Sequence, residues 1–272
     1  MQDWLDDTLA ALASPVAWHS FRHVFLVSFR DDGQYYLLTA LILWGLLHVA
    51  LRRRLAHRLI SGWPTGADLR REITYSFSTL CVITALNAAI LALAVSGVFE
   101  VYANPREHGV AWLLLSLPVL IVWHDFYFYW THRLLHTRWL FRHIHGVHHR
   151  SRNPSPWAAF SFHPVEALVN AMVLPIALMV VPLNEVVVAA FAIHQIVRNA
   201  HGHAAVEILP RGFVRHWLGG RFVTTTHHHL HHETAQGNYG LWFTWMDRWF
   251  GTERADYLAR FDASTAPRPS AS

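Results

Sequence analysis

The chain has 272 residues, of which 53% are hydrophobic and 15% are charged, and its formal net charge is +4. This charged fraction is well below the roughly 25% of soluble domains, so the composition favours an integral membrane protein. The basic residues are all arginine and are not interleaved with aromatic residues as in a nucleic-acid site, so no nucleic-acid partner is expected. The single cysteine, Cys81, excludes an intrachain disulfide and a thiolate metal site.

The apolar stretches predict the membrane-spanning elements in chain order. Residues 1–32 form an amphipathic lead-in, and three stretches at about 34–51, 76–99 and 110–130 have the ~20 residues that a hydrocarbon core requires. Residues 167–197 contain two shorter apolar pieces, interrupted at 182–184. They predict a helical hairpin that enters and leaves the membrane on one side, with two short full crossings as the alternative.

The arginine distribution predicts how these elements are oriented. Residues 52–75 contain six arginines, residues 100–109 contain one, and the segment after the third span is again rich in arginine. Because arginine favours the cytoplasmic side, residues 52–75 and those from 131 onward, apart from the hairpin, should be cytoplasmic. We therefore expect an all-α protein of the bacterial inner membrane, with one domain over residues 1–263. Its histidine-rich cytoplasmic cap would comprise 131–166 and 198–263, and residues 264–272 would be a disordered tail.

Histidines are concentrated in three short motifs outside the apolar stretches. The motifs read HRLLH at 132–136, HIHGVHH at 143–149 and HHHLHH at 227–232. Spacings of i, i+3 and i+4 place side chains on one face of a helix. Eight imidazoles then qualify as ligands, and eight are more than one tetrahedral zinc requires, so the pattern predicts two bound metal ions. The eight are His132, His136, His145, His148, His149, His228, His231 and His232. An interfacial pH-sensing face is the alternative.

These motifs, followed by NYG at 238–240, resemble the fatty acid hydroxylase/sterol desaturase superfamily of integral membrane enzymes. The similarity runs from about His124 to Gly251. It implies a helical membrane bundle with a di-iron site that uses O2 to hydroxylate or desaturate a lipid. Electrons would come from a separate reductase, ferredoxin or cytochrome, since the sequence contains no haem or flavin fingerprint.

The resemblance also implies metal ligands between the second and third motifs, where the sequence reads HQIVRNAHGHAAVE. His203 matches this segment and becomes the ninth predicted ligand, with His201 and His194 as competitors. His124, His227 and His229 remain further candidates.

Four residues are predicted to support ligands rather than bind metal. Asp125 precedes His132 by two helical turns, and Asn199 precedes His203 by one turn. His163 and Glu166 belong to the phrase FHPVEA at the start of the hairpin. Such residues often accept a hydrogen bond from a ligating imidazole, although a cap or a core hydrogen bond would also explain each of them.

Two other functions are compatible with a membrane protein rich in histidine. A metal transporter or storage protein would place ionisable ligands within the spans, whereas these motifs lie mostly outside them. A zinc-dependent membrane hydrolase would need neither O2 nor a reductant. The sequence does not distinguish sterol, fatty acyl or other lipid substrates, nor hydroxylation from desaturation.

Overall fold

Three long helices dominate the fold, as the composition predicts. A computed structural model describes residues 15–95 and 97–267. The long helices are α1 (Pro15–Trp44), extended by a π-helical turn at Gly45–Ala50, α3 (Gly66–Val95) and α4 (Val110–Leu135), while α2 is the short helix Arg52–Leu55. Each long helix contains a segment apolar and long enough to cross a bilayer, namely Phe25–Ala50, Gly66–Ala94 and Val110–Leu135. The prediction of an all-α protein with three spanning helices is confirmed.

The long helices extend beyond the apolar stretches that predict them. Helix α1 begins at Pro15, because proline fits the first turn of a helix, and α3 begins ten residues before the predicted Ser76. Helix α4 continues to Leu135, so His132 lies inside it. Hydropathy misses the start of α3 and the end of α4 because polar residues are frequent there while the backbone remains helical. Of the amphipathic lead-in predicted for residues 1–32, residues 1–14 lie outside the described residues, and residues 15–32 belong to α1.

The hairpin is present as two helical arms and a turn. The first arm consists of α6 (Pro164–Ala171) and α7 (Val173–Leu178). The short helix α5 (Arg138–His143) precedes the hairpin in the chain. The second arm is α8 (Glu185–Gly202). At the turn, strand β2 (Leu183–Asn184) pairs in parallel with β1 (Val101–Tyr102), which joins α3 to α4.

This pairing places the hairpin turn at the end of the bundle where α4 begins. The two ends of the hairpin return to the opposite end, where Glu166 contacts His145 and His203 contacts His148. The chain therefore leaves the histidine-bearing end, reaches the far end and comes back. One apolar cluster packs the far end; it comprises Ile90, Phe99, Leu120, Val173, Ala177, Leu178, Leu183 and Phe191.

Short helices cover the histidine-bearing end of the bundle. Four 3-10 turns come first in the chain, at His145–Arg150, Pro156–Phe160, Phe213–Arg215 and Gly219–Arg221. The helices after them are α9 (Thr225–Thr234), α10 (Trp245–Trp249) and α11 (Tyr257–Ser264). Leu230 of α9 packs against Tyr257 and Phe261 of α11. Ordered structure extends past the predicted start of the tail, because Ser264 ends α11 and Thr265 is buried. Residues 268–272 lie outside the described residues.

Candidate dinuclear metal centre

The three histidine motifs meet at one end of the bundle, the first and third on α-helices and the second on a 3-10 turn. His132 lies in the last turn of α4 and His136 caps that helix. The second motif forms a 3-10 turn, His145–Arg150, rather than the predicted α-helical face. The third motif lies on α9. Within the 3-10 turn, His145 and His149 belong to one cluster and His148 to the other, so one short segment supplies imidazoles to both clusters.

The first cluster contains five imidazoles whose Nε2 atoms converge. His145 Nε2 lies 3.1 Å from His132 Nε2, 3.0 Å from His136 Nε2 and 3.0 Å from His149 Nε2. His231 Nε2 completes the cluster, 3.1 Å from the Nε2 atoms of both His136 and His149. All five are predicted ligands.

The second cluster contains the other four predicted ligands. His203 Nε2 lies 3.3 Å from His148 Nε2, 3.0 Å from His228 Nε2 and 3.1 Å from His232 Nε2. The structure thus brings all nine predicted ligands together in groups of five and four, each within the reach of one ion. With metal–nitrogen bonds of about 2.1 Å, ligands at right angles lie about 3.0 Å apart, close to the separations in both clusters.

Hydrogen bonds that Nδ1 donates fix the orientation of most of these rings. Nδ1 donates to a backbone carbonyl in five of them and to a carboxylate in His145, because carbonyl and carboxylate oxygens can only accept. The five carbonyl acceptors belong to Tyr239, Ser161, Asn199, Gly237 and Ser151, paired with His132, His148, His203, His231 and His232 in that order.

This arrangement leaves the Nε2 lone pairs of those six rings facing other nitrogens. A neutral imidazole that carries its proton on Nδ1 has no proton on Nε2, so two such rings cannot hydrogen-bond through Nε2. Lone pairs about 3 Å apart in a buried site repel each other. A bound cation removes this repulsion, and the donor set is therefore suited to two metal ions that prefer imidazole.

Burial keeps the clustered imidazoles neutral. Desolvation and the neighbouring His132 lower the pKa of His136 to about 2, and desolvation lowers the pKa of His203 to about 4 despite its hydrogen bond to Asn199. The pKa of the remaining cluster residues outside the long helices is also well below its ordinary value, because each is desolvated and faces other imidazoles. These are His145, His148, His149, His228, His231 and His232. Neutral imidazole is the form that binds metal.

Acidification is expected to release metal from the site. An unfolded histidine has a pKa of about 6.5, so the folded cluster binds fewer protons than the unfolded chain. The stability that depends on neutral rings is complete above pH ~6.5 and falls as the pH drops toward the folded value, about 4 for His203. We expect bound metal, measured after dialysis at graded pH, to decline across this window and to return on reloading at neutral pH. Full retention of metal at pH ~4 would contradict this expectation.

Glu166 is the predicted supporting residue that contacts a clustered imidazole through its side chain. Its Oε1 accepts from His145 Nδ1 at 2.7 Å, and both side chains are buried. Glu166 lies at the start of α6, so its contact with His145 depends on how the hairpin packs against the 3-10 turn His145–Arg150. A carboxylate here orients the ring and makes Nε2 more basic toward a metal.

The other three predicted supporting residues have different roles. Asn199 supports His203 through its backbone carbonyl, while its side-chain amide donates to Ala159 O at 2.7 Å. His163 caps α6 by accepting from Val165 N. The carboxylate of Asp125 accepts from the backbone N–H groups of Trp242 and Phe243 rather than from a clustered imidazole, which corresponds to the alternative of a core hydrogen bond. Asp125 therefore fastens α4 to the segment after the NYG turn.

The five competing histidines do not belong to either cluster. Three lie near the second arm of the hairpin: His124 accepts from Trp242 Nε1 at 3.0 Å, His194 stacks on the same indole, and His201 lies 3.4 Å from Thr225 Oγ1. His227 and His229 belong to the third motif and their rings are buried, but neither ring is in a cluster.

Sequence reasoning missed the backbone carbonyls that orient the rings. Tyr239 belongs to the NYG motif and Gly237 directly precedes it. Asn238 of the motif has a positive φ of 54° and donates through its amide to His227 O. Asp247 holds this turn by accepting from the N–H groups of Tyr239 and Gly240. The NYG motif was the available signal, since it implied a special turn directly after the third histidine motif.

A small cavity faces both clusters. It includes His132 and His145 of the first cluster and His148, His203 and His228 of the second, and its apolar wall is formed by Phe128, Leu135 and Phe162. The ring of Phe128 lies 4.8 Å from that of His132, and the ring of Phe162 lies 4.8 Å from that of His148. An apolar group that enters this cavity would therefore lie next to both clusters, away from bulk water.

Comparisons with known proteins match the part of the chain that carries this centre. The fatty acid hydroxylase family model matches residues 117–252, half of the chain. A Delta(7)-sterol 5(6)-desaturase of Gibberella zeae is 30% identical over 188 residues, which are 69% of this chain and 57% of the relative. Another from Aspergillus fumigatus is 32% identical over 204 residues, covering 69% and 63%.

Mammalian proteins show the same similarity. Lathosterol oxidase of Homo sapiens is 28% identical over 183 residues, covering 66% of this chain and 60% of the relative. The chain thus spans 57% to 63% of the length of these relatives. No significant match to a solved structure was found.

Proposed function

Because the chain belongs to the fatty acid hydroxylase family, we propose that it is an O2-dependent hydroxylase or desaturase of a membrane lipid, with a histidine-ligated di-iron centre. The three long apolar helices indicate an integral membrane protein. The observation that carries the proposal is the convergence of nine imidazole Nε2 atoms in two adjacent buried groups. The named activities of the relatives, sterol desaturation and lathosterol oxidation, support a lipid substrate.

The reaction expected of the family favours iron over zinc. Activation of O2 requires a metal that changes its oxidation state, which zinc does not do. When bound, a pair of iron ions would supply the redox chemistry that activates O2 for attack on a C–H bond. The first five-imidazole group (His132, His136, His145, His149 and His231) would hold one ion and the second group (His148, His203, His228 and His232) the other.

The protein's own contribution is to position the substrate and to exclude water. Glu166 and five backbone carbonyls hold six of the nine rings with Nε2 directed inward. Phe128 and Phe162 line the small cavity beside the two clusters, so an alkyl segment would lie between these rings with its C–H bonds toward the metals. Such a dry, fixed arrangement limits reaction of an activated oxidant with water.

The arginine distribution supports a cytoplasmic centre. Residues 52–75 and the segment after α4 are rich in arginine, and both lie at the histidine-bearing end of the bundle. The backbone of Ile60 donates to Ala205 O, which joins the 52–75 segment to the cap. A separate reductase, ferredoxin or cytochrome would deliver electrons from this side. The relatives compared are eukaryotic, so they lend no support to a bacterial inner membrane in particular.

Two other functions predict different behaviour. A metal transporter would place its ligands along a path through the bilayer, whereas eight of the nine clustered histidines lie outside the three long apolar segments. A zinc hydrolase would turn over under anaerobic conditions. Metal flux into proteoliposomes, or activity without O2, would favour these alternatives.

The proposed function is tested by lipid mass spectrometry of cells that contain or lack the protein. We expect lipids that gain one oxygen atom or lose two hydrogen atoms when the protein is present. The purified, iron-loaded protein should reproduce this change with O2 and a reductant, and should not do so under argon or after zinc replaces iron. Turnover that is unchanged under argon would refute the proposal.

A further inference from the structure

A second cavity lies within the helical bundle and adjoins the one that faces the metals. Its volume is about 130 Å³, and part of it is open to the surroundings. Four residues line both cavities, namely Phe128, Phe162, Asn170 and Asn199. These four residues therefore lie between the larger cavity and the histidine clusters.

A carboxylate lines this larger cavity from within an apolar helix. Asp32 lies in the Phe25–Ala50 segment of α1, and it is the only acidic residue among those that line the cavity. Its Oδ2 accepts from Asn87 Nδ2 of α3 at 2.9 Å. An ionisable side chain in a membrane-spanning segment is costly and usually marks a binding or transport function. The neighbouring Asp31 differs, because it pairs with Arg30 at an exposed position.

We propose that Asp32 and Asn87 bind the hydroxyl group of an elongated lipid alcohol and thereby determine which carbon reaches the metals. This inference rests on the proposed function for the chemistry at the metals. A hydroxyl group can donate a hydrogen bond to the Asp32 carboxylate and accept one from the second N–H of the Asn87 amide. The apolar body would fill the cavity beside Ile83, Leu174 and Phe191.

The position of the pair along α3 sets the length of the substrate. Thr79 lies at the level of Phe162, because its hydroxyl contacts Phe162 O at 3.5 Å. Asn87 is eight residues further along the helix, a rise of about 12 Å. The carbon that is oxidised should therefore be at least ~12 Å from the hydroxyl group. Alcohols too short to span this distance would bind at one end without presenting a C–H bond to the metals.

The test is equilibrium binding of matched probes to the full-length, iron-loaded protein in detergent. The probes are hexadecan-1-ol, 1-methoxyhexadecane, hexadecane and hexadecylamine, each at the same ratio to micelles. We expect the wild type to retain the alcohol about tenfold more tightly than the methyl ether, the effect of one hydrogen bond to a charged group. Asp32→Leu should abolish this preference, and Asp32→Asn, which preserves shape, should reduce it.

Asp31→Leu is the matched control and should keep the wild-type preference, since its carboxylate does not line the cavity. Iron content reports that each variant is folded. A wild type without a preference for the alcohol, or Asp32→Leu with the preference intact, would overturn the proposal. Tighter retention of the amine than of the alcohol would overturn the assignment to a hydroxyl group. The experiment measures binding and does not depend on turnover. A protein that binds the alcohol selectively but never oxidises lipid would therefore refute the proposed enzymatic function and leave the hydroxyl-binding site supported.

Discussion

His148→Ala is expected to abolish turnover and to lower bound iron by about half while the helical fold remains. His148 is one of the four imidazoles of the second cluster, and its Nε2 lies 3.3 Å from His203 Nε2. Its removal leaves three ligands and an opening beside Phe162, so the second ion would bind weakly. Elemental analysis measures the iron, product formation measures turnover, and circular dichroism measures helix content.

The matched control for this variant is His143→Ala. His143 belongs to the same motif, but it is exposed, and its Nδ1 donates to Trp139 O outside both clusters. This variant should retain iron and activity. Full activity in His148→Ala, or equal loss of iron in both variants, would count against a metal centre at these residues.

Glu166→Leu is expected to weaken iron binding by about 10- to 100-fold, which is typical for the loss of a residue that orients a ligand. The carboxylate accepts from His145 Nδ1 at 2.7 Å, so leucine leaves a buried N–H group without an acceptor and frees the ring to rotate. Glu166→Gln keeps an oxygen acceptor without the charge and should fall between the wild type and the leucine variant. Titration against a competing chelator measures the affinity.

Glu185→Gln provides the control for the loss of a carboxylate on the hairpin. Glu185 is exposed in the first turn of α8, at the far end of the bundle from the clusters. Its substitution should leave the iron affinity unchanged. If Glu166→Leu bound iron as tightly as the wild type, the carboxylate would have no role in orienting His145.

The membrane architecture and the candidate ligands were accessible from the sequence because both depend on local patterns. Apolar runs of spanning length predicted α1, α3 and α4, and the interruption at 182–184 predicted the turn of the hairpin. Helix ends were less accessible. Gly66 and the residues up to Ser76 form a polar extension of α3 that burial against the cap stabilises, as in the buried Glu72 that accepts from Ser155.

The roles of polar neighbours depended on contacts between distant segments. Spacing along α4 suggested that Asp125 would reach a ligand, yet the chain brings Trp242 and Phe243 to its carboxylate. The same limitation applies to His163 and Glu166, which lie three residues apart in one phrase. One caps its own helix and the other contacts His145.

The sequence by itself determined which imidazoles are available as ligands and that most of them lie outside the apolar segments. Only the tertiary structure decided how they are divided, with His145 and His149 in one cluster and His148 in the other. Spacing fixes the direction of a side chain relative to its own segment, whereas each cluster combines several segments whose packing orients the rings. The backbone carbonyls of Tyr239, Ser161 and others then select the nitrogen that faces inward, and no side-chain pattern encodes that choice.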